Sequence, residues 1–221
     1  MSAILVVTGY NDKYSIVGDV TWKGWKAYAD FHGYDFSCIR NYPDAAKING
    51  AWHKLRIIRE ALMRHEWVFW ADADTVCTNF SVRLERWLEA YDADLHVSRD
   101  WFPNDAVNFT TCAGLWRAGQ LTTRLLSLAE SKTQYIHKEY YDQTALQEVV
   151  AEQNSLRLRV NVWPRRDMAA VPSFCHEEVV EPWQPGDFLA HLTFIQWSHR
   201  RKSALEFQRR YPPPQLRKRP N

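Results

Sequence analysis

Two acids two residues apart, Asp72 and Asp74, follow directly on the apolar run Trp67-Val68-Phe69-Trp70-Ala71. Carboxylates at this spacing, where extended chain turns over, can aim oxygens into one small volume. Their repulsion is costly unless a cation lies between them, and hard oxygen ligands favour Mg²⁺ or Mn²⁺. A short acid-x-acid motif also arises by chance, with both acids serving as turn or cap residues. The preceding run weighs against that bland reading. A short apolar run without alternation reads as a strand buried on both faces, as in the middle of a parallel sheet. Beyond the carboxyl ends of such strands lies the cleft in which open α/β sheets bind ligands.

The elements that must position this motif are legible on either side of it. Ile4 to Thr8 is a β-branched strand ended by the turn Gly9-Tyr10-Asn11-Asp12. Val17, Val20, Tyr28 and Phe31 recur near helical spacing from Ile16 to Phe31, and Gly33 stops that helix. Phe36 to Ile39 reads as a strand, a polar loop with Pro43 and Gly50 follows, and Trp52, Leu55, Ile58 and Leu62 mark an amphipathic helix. After the motif, the pattern predicts a helix from Ser81 (as N-cap) to Tyr91, strands at Asp94 to Ser98 and Asn108 to Trp116, and helices at Gln120 to Glu130 and from Asp142 to Val150. Leu156 to Val162 alternates like a strand, Pro172 to Gly186 is loop-rich, and Phe188 to Phe194 is a last strand before a basic helix. Strands alternating with helices predict an α/β fold with a mainly parallel sheet flanked by helices, its irregular second half carrying the partner-reading loops.

Composition narrows the class. With 46% hydrophobic and 24% charged residues and a net charge of +2, 221 residues suit one globular domain, and no global field calls for nucleic acid. Cys38, Cys77, Cys112 and Cys175 form no CxxC pair, which points to reduced thiols and a cytoplasmic setting. The segment from Met1 to Tyr10 lacks a basic n-region and reads as a first strand rather than a signal peptide or anchor. Eleven Trp residues are an excess that fits core filling first and sugar stacking second.

Taken together, Trp52-His53-Lys54 opening a helix, Trp67 to Asp74, Asp142-Gln143, and Gly186-Asp187-Phe188-Leu189-Ala190-His191 resemble glycosyltransferase family 34, which includes fungal galactosyltransferases and plant xyloglucan xylosyltransferases. The resemblance implies the GT-A fold, a Rossmann-like nucleotide-sugar domain, over residues 1–198, with 199–221 as a basic helix and Pro-rich tail. It implies Mn²⁺ (or Mg²⁺) held by Asp72, Asp74 and His191, imidazole suiting Mn²⁺ better. It further implies donor contacts from Asp72, Ala73, Lys54 and Asn108 (the last with Thr111 and Gly114), and an acid and amide, Asp142 and Gln143, beside the reacting carbon. Thr8, Tyr10 and Asn11 stand where the fold places the nucleotide base. The implied reaction is transfer from a UDP-sugar to a glycan hydroxyl with retention. Simpler roles compete: Asp142 as a helix N-cap, Lys54 on a solvated face, His191 in a core. One departure stands out. Phe194 and Gln196 occupy the offsets of a family Gly and of the Lys that clamps the diphosphate, which leaves the clamp to His199, Arg200, Arg201 or Lys202.

Two other classes fit parts of the pattern. Asp72-Ala73-Asp74-Thr75-Val76 matches the nucleophile motif of haloacid-dehalogenase-type phosphatases, although that motif ends the first strand of its core and here at least two strands precede it. A non-catalytic carbohydrate-binding protein would account for the Trp content. From Arg200 to Arg219 eight Lys and Arg residues face one acid, Glu206, which suits a solvated helix face or peripheral contact with an anionic membrane.

Overall fold

The computed structural model describes residues 3–42, 50–101, 108–138 and 140–214. A six-stranded sheet runs in the order β2-β1-β3-β6-β5-β7, from β1 (Ile4–Tyr10), β2 (Asp35–Arg40), β3 (Trp67–Asp72), β5 (Leu95–Ser98), β6 (Thr110–Arg117) and β7 (Val160–Trp163). β1 pairs in parallel with β2 and β3, and β5 with β7; only β6 runs antiparallel, to β3 on one side and β5 on the other. The mainly parallel sheet is as expected, with the difference that β3 has one antiparallel neighbour.

Strand alternation splits the core across the two faces. Ile4, Val6, Trp67, Phe69 and Leu115 meet Trp25 and Tyr28 of α1 (Ser15–His32) and Trp87 of α3 (Glu85–Ala90). Leu5, Val7, Val68, Trp70 and Trp116 face the other way, onto α2 (Gly50–Ala61), α4 (Gln120–Ser131) and α5 (Tyr141–Glu152). Gly33 ends α1 at φ 76°, a left-handed position that glycine enters without a Cβ penalty. A third cluster joins Val17 and Val20 of α1 to a small antiparallel sheet, β4 (Thr75–Cys77) with β8 (Leu189–His191), and to Ala204 and Phe207 of α8 (Trp197–Arg210). The basic helix is thus packed on α1, where Gln208 also donates to the Val20 carbonyl at 3.0 Å. The tail after residue 214 lies outside the described residues, as does Pro43.

Three elements differ from expectation. Ser81 does not cap a helix: its N–H and hydroxyl both donate to Asn79 Oδ1, and α3 begins only at Glu85. Leu156 belongs to a short helix, α6 (Asn154–Arg157), and the strand starts later, at Val160; Leu158, which alternation would have buried, is 69% exposed. The last strand is only three residues long, because its partner β4 is. Between β7 and β8, the short helix α7 (Arg165–Met168) precedes the irregular stretch.

Candidate active site

β3 ends at Asp72 and β4 begins at Thr75, so the motif is the link between the large sheet and the small one. The link is pinned from beneath by α1. Thr21 donates to the Ala73 carbonyl at 2.7 Å, the Trp25 indole to Thr75 at 3.2 Å, and Thr75 in turn to the Asp72 carbonyl at 2.6 Å. These buried hydrogen bonds fix the backbone of a segment that has no regular structure of its own. In the small sheet Thr75 is paired with His191, and Leu192 N–H donates to the Asp74 carbonyl at 2.9 Å. That register delivers a histidine to an aspartate 117 positions earlier in the chain, with His191 Nε2 3.5 Å from Asp74 Oδ1.

Asp72, Ala73, Asp74 and His191 line a cavity of about 360 Å³, together with Tyr10, Asn11, Lys54, Asp142 and Gln143. Two of the expected site residues lie elsewhere. Thr8 is fully buried inside β1, since the strand runs on to Tyr10 and its carboxyl end falls two residues later than the sequence suggested. Asn108 does not line the cavity either, and its buried Oδ1 has no hydrogen-bond partner among the described residues. Gly114 sits mid-sheet, where a Cβ would meet the His96 carbonyl at 3.0 Å. Of that group only Thr111 reaches the site.

Lys54 is buried, not on a solvated face. Its ammonium lies 2.9 Å from Asp72 and 3.2 Å from Asp142, and donates to the Thr111 carbonyl at 2.9 Å. Burial alone would depress Lys54, but Asp142 and Asp72 outweigh it and hold the ammonium charged. Asp142 is not a cap; it lies within α5, after Tyr140, and also accepts from the Thr111 hydroxyl at 2.8 Å. Gln143 is held at both ends, its oxygen by Thr111 N–H and its amide nitrogen by Asp100 at 2.7 Å. Burial raises the Asp72 carboxyl above its ordinary value, Lys54 opposes this, and Asp74 and Asp142 add to it; Trp70 donates to the same carboxylate at 2.6 Å.

Asp74 behaves differently. Burial pushes it up, yet His191 and Arg200 outweigh that and hold it well below the usual carboxylate range. Arg200 comes from the first turn of α8 and bonds directly to Asp74; its Nε donates to the Ile195 carbonyl at 2.8 Å and its guanidinium lies 4.1 Å from the Trp197 ring centroid. Of the four cations left as candidates for the clamp, Arg200 is the one that lines this cavity, while His199 and Lys202 face another groove and Arg201 is exposed. Tyr14 and Trp197, in edge-to-face contact at 4.5 Å, complete the rim and were not singled out from sequence. Asp100 was missed too, although it follows the end of β5 as Asp72 ends β3.

Among the described residues, no three acid, His or Cys side chains cluster closely enough to form a ready-made cation site. The donor chemistry nonetheless fits a divalent ion. Two carboxylates and an imidazole, donor types that such an ion takes, open onto one cavity, and in this structure Lys54 and Arg200 pair with the two carboxylates.

Residues 2–100 match the model of the galactosyl transferase GMA12/MNN10 family. Over 90 residues the chain is 36% identical to galactomannan galactosyltransferase 1 of Cyamopsis tetragonoloba, a match covering 37% of this chain and 20% of that relative. The chain therefore matches about a fifth of that relative's length. A glycosyltransferase involved in the glycosylation of the major capsid of PBCV-1 superposes with a TM-score of 0.73, over 92% of this chain and 98% of the other, at 16% identity. The galactosyltransferase LgtC, solved in complex with donor and acceptor sugar analogs, gives 0.58 over 94% and 96% at 12% identity. The glycosyltransferase GlyE of Streptococcus pneumoniae gives 0.56 over 95% and 64% at 12% identity. The fold is the GT-A fold of glycosyltransferases, and the N-terminal part of the chain resembles the galactosyltransferase family.

Proposed function

We propose that this chain is a metal-dependent glycosyltransferase that moves a hexose or pentose from a nucleotide-diphosphate sugar, a UDP-sugar, to a glycan hydroxyl with retention. The observation that carries this reading is the convergence of Asp72, Asp74 and His191 on one cavity that also holds Lys54, Asp142 and Arg200. Asp72, Asp74 and His191 would hold the cation, a mixed carboxylate and imidazole set suiting Mn²⁺ better than Mg²⁺. When bound, such an ion neutralises the charge that develops on the departing diphosphate.

The protein's own residues supply the remainder. Arg200 lines the cavity, where its Nη1 bonds to Asp74 and its Nε to the Ile195 carbonyl, and it is the cation proposed to exchange Asp74 for a phosphate of the leaving group. Tyr10, the last residue of β1, and Asn11 just beyond it are set to border the nucleoside. The anomeric C–O bond breaks with its electron pair on the diphosphate; the acceptor oxygen bonds to the same carbon, and its proton passes to the departing diphosphate. Asp142, ion-paired with Lys54 and accepting from the Thr111 hydroxyl, would present a fixed carboxylate to the oxocarbenium-like carbon. Gln143, pinned by Thr111 and Asp100, acts by position rather than by proton transfer.

The phosphatase reading has less support: Asp72 ends the third strand rather than the first, and its carboxylate is engaged by Lys54 and Trp70 rather than free to attack phosphorus. Thermal unfolding tests the transferase reading. UDP should raise the melting temperature only when Mn²⁺ is present, and Asp74→Ala should abolish that shift while keeping a cooperative transition. A UDP-induced shift that is equal with and without Mn²⁺ contradicts it.

A further inference from the structure

Five non-glycine residues among those described have positive φ: Asn41, Tyr140, Tyr141, Glu181 and Phe194. Four of them line the active-site cavity or a smaller pocket of about 90 Å³ that opens beside it and shares Thr110, Gln143 and His191 with it. Left-handed backbone is unfavourable for a bulky side chain, and such outliers gather where surrounding structure and function hold them. Phe194 is the clearest case. At φ 63° it adopts a conformation suited to glycine, yet it carries a benzyl group that is 39% exposed.

The side chain has company. Trp101 lies 6.2 Å from the Phe194 ring and lines the smaller pocket with it, while His176 packs on Phe194 at 5.5 Å. Trp101 is braced from behind by Arg165, which donates to the Asp100 and Trp101 carbonyls and holds its guanidinium 5.9 Å from the indole. Asp100 and Glu181 border the same pocket with carboxylates. Aromatic faces edged by hydrogen-bonding acids match a pyranose, which has an apolar C–H face and a rim of hydroxyls.

We propose that Phe194, with Trp101, is a stacking platform for the acceptor sugar and a determinant of acceptor specificity. The pocket that Phe194 lines shares His191, Thr110 and Gln143 with the donor cavity, so a sugar stacked there lies beside the donor site. The platform deepens the transferase reading and rests on it for the word acceptor; sugar binding there is separable from turnover.

The test uses the full chain and methyl glycosides of glucose, galactose, mannose and xylose, singly and as β-1,4-linked disaccharides. Saturation-transfer NMR measures binding, and transfer kinetics with Mn²⁺ and UDP-sugars measure acceptor and donor KM separately. Phe194→Gly relieves the backbone, so its melting temperature should not fall. Its acceptor KM should rise at least about tenfold with donor KM within about twofold, and Phe194→Tyr should recover acceptor KM to within about threefold. Unchanged saturation transfer and acceptor KM in Phe194→Gly overturn the platform, as does a wild type that binds UDP with Mn²⁺ but none of the glycosides. Phe194-dependent glycoside binding without turnover of any nucleotide sugar would support the platform and sink the transferase reading instead.

Discussion

The two walls of the cleft balance their charge in different ways. On the wall made by α2, the end of β3 and β6, the Lys54 ammonium is shared among Asp72, Asp142 and Thr111, all supplied by the large sheet and its helices. That arrangement is closed: each partner holds the next. On the wall made by β8 and α8, Asp74 meets a histidine at the end of a three-residue strand and an arginine at the end of a long side chain. Arg200 can change partner without disturbing any ladder of backbone bonds. The contrast separates a frame that fixes geometry from a side that can exchange its cation for a ligand's charge.

The comparison breaks first, and most visibly, at Lys54. Lys54→Met leaves buried Asp142 and half-buried Asp72 without their counter-charge and should cost about 3–5 kcal/mol of stability in urea unfolding. A loss below about 1 kcal/mol would mean that the first wall is no closed frame. Arg200→Met probes the other wall. Donor KM should rise on the order of tenfold, the loss of one charge-assisted phosphate contact, while stability with Mn²⁺ present falls less than in Lys54→Met. A stability loss as large as that of Lys54→Met would erase the distinction between the walls.

The smallest effect concerns neither wall. His96 is fully buried in β5, where burial pushes its pKa down to about 4 and the Trp163 indole donates to its Nδ1 at 3.2 Å. The unfolded chain therefore binds a proton that the folded one refuses. Stability should be full above pH 6.5 and decline as pH falls from there toward 4, at no more than about 1.4 kcal/mol per pH unit. Urea midpoints across that range should flatten in His96→Gln, and the slope should persist in Asp74→Ala, which distinguishes the scaffold's acid sensitivity from that of the site.

Much of the first wall was legible in the sequence because hydrophobic patterning encodes it. The unbroken run before Asp72 announced a buried strand, and the spacing of Trp52, Leu55 and Ile58 announced the helix that carries Lys54. Patterning does not say where a strand stops, which is why the β-branched run ends at Thr8 while the strand continues to Tyr10. It could not tell which face Asn108 would take relative to Thr111 either, since both belong to one short polar stretch. The second wall depends on a pairing of Thr75 with His191 across more than a hundred residues and on which side of α8 turns inward. Arg200 was consequently one of four equal candidates until packing of Ala204 and Phe207 against α1 fixed the helix rotation. Phe194 stood out as a departure from the family pattern, but its left-handed backbone has no sequence signature when the residue is not glycine.

Metal-dependent sugar transfer at Asp72, Asp74 and His191 is checked by turnover of a panel of nucleotide sugars scored for released nucleoside diphosphate. Release is expected from at least one UDP-sugar with Mn²⁺, stopped by EDTA and reduced on the order of 100-fold or more in Asp74→Ala. Release indifferent to EDTA and to Asp74→Ala, or no release from any donor alongside robust Mg²⁺-dependent hydrolysis of p-nitrophenyl phosphate, would contradict it.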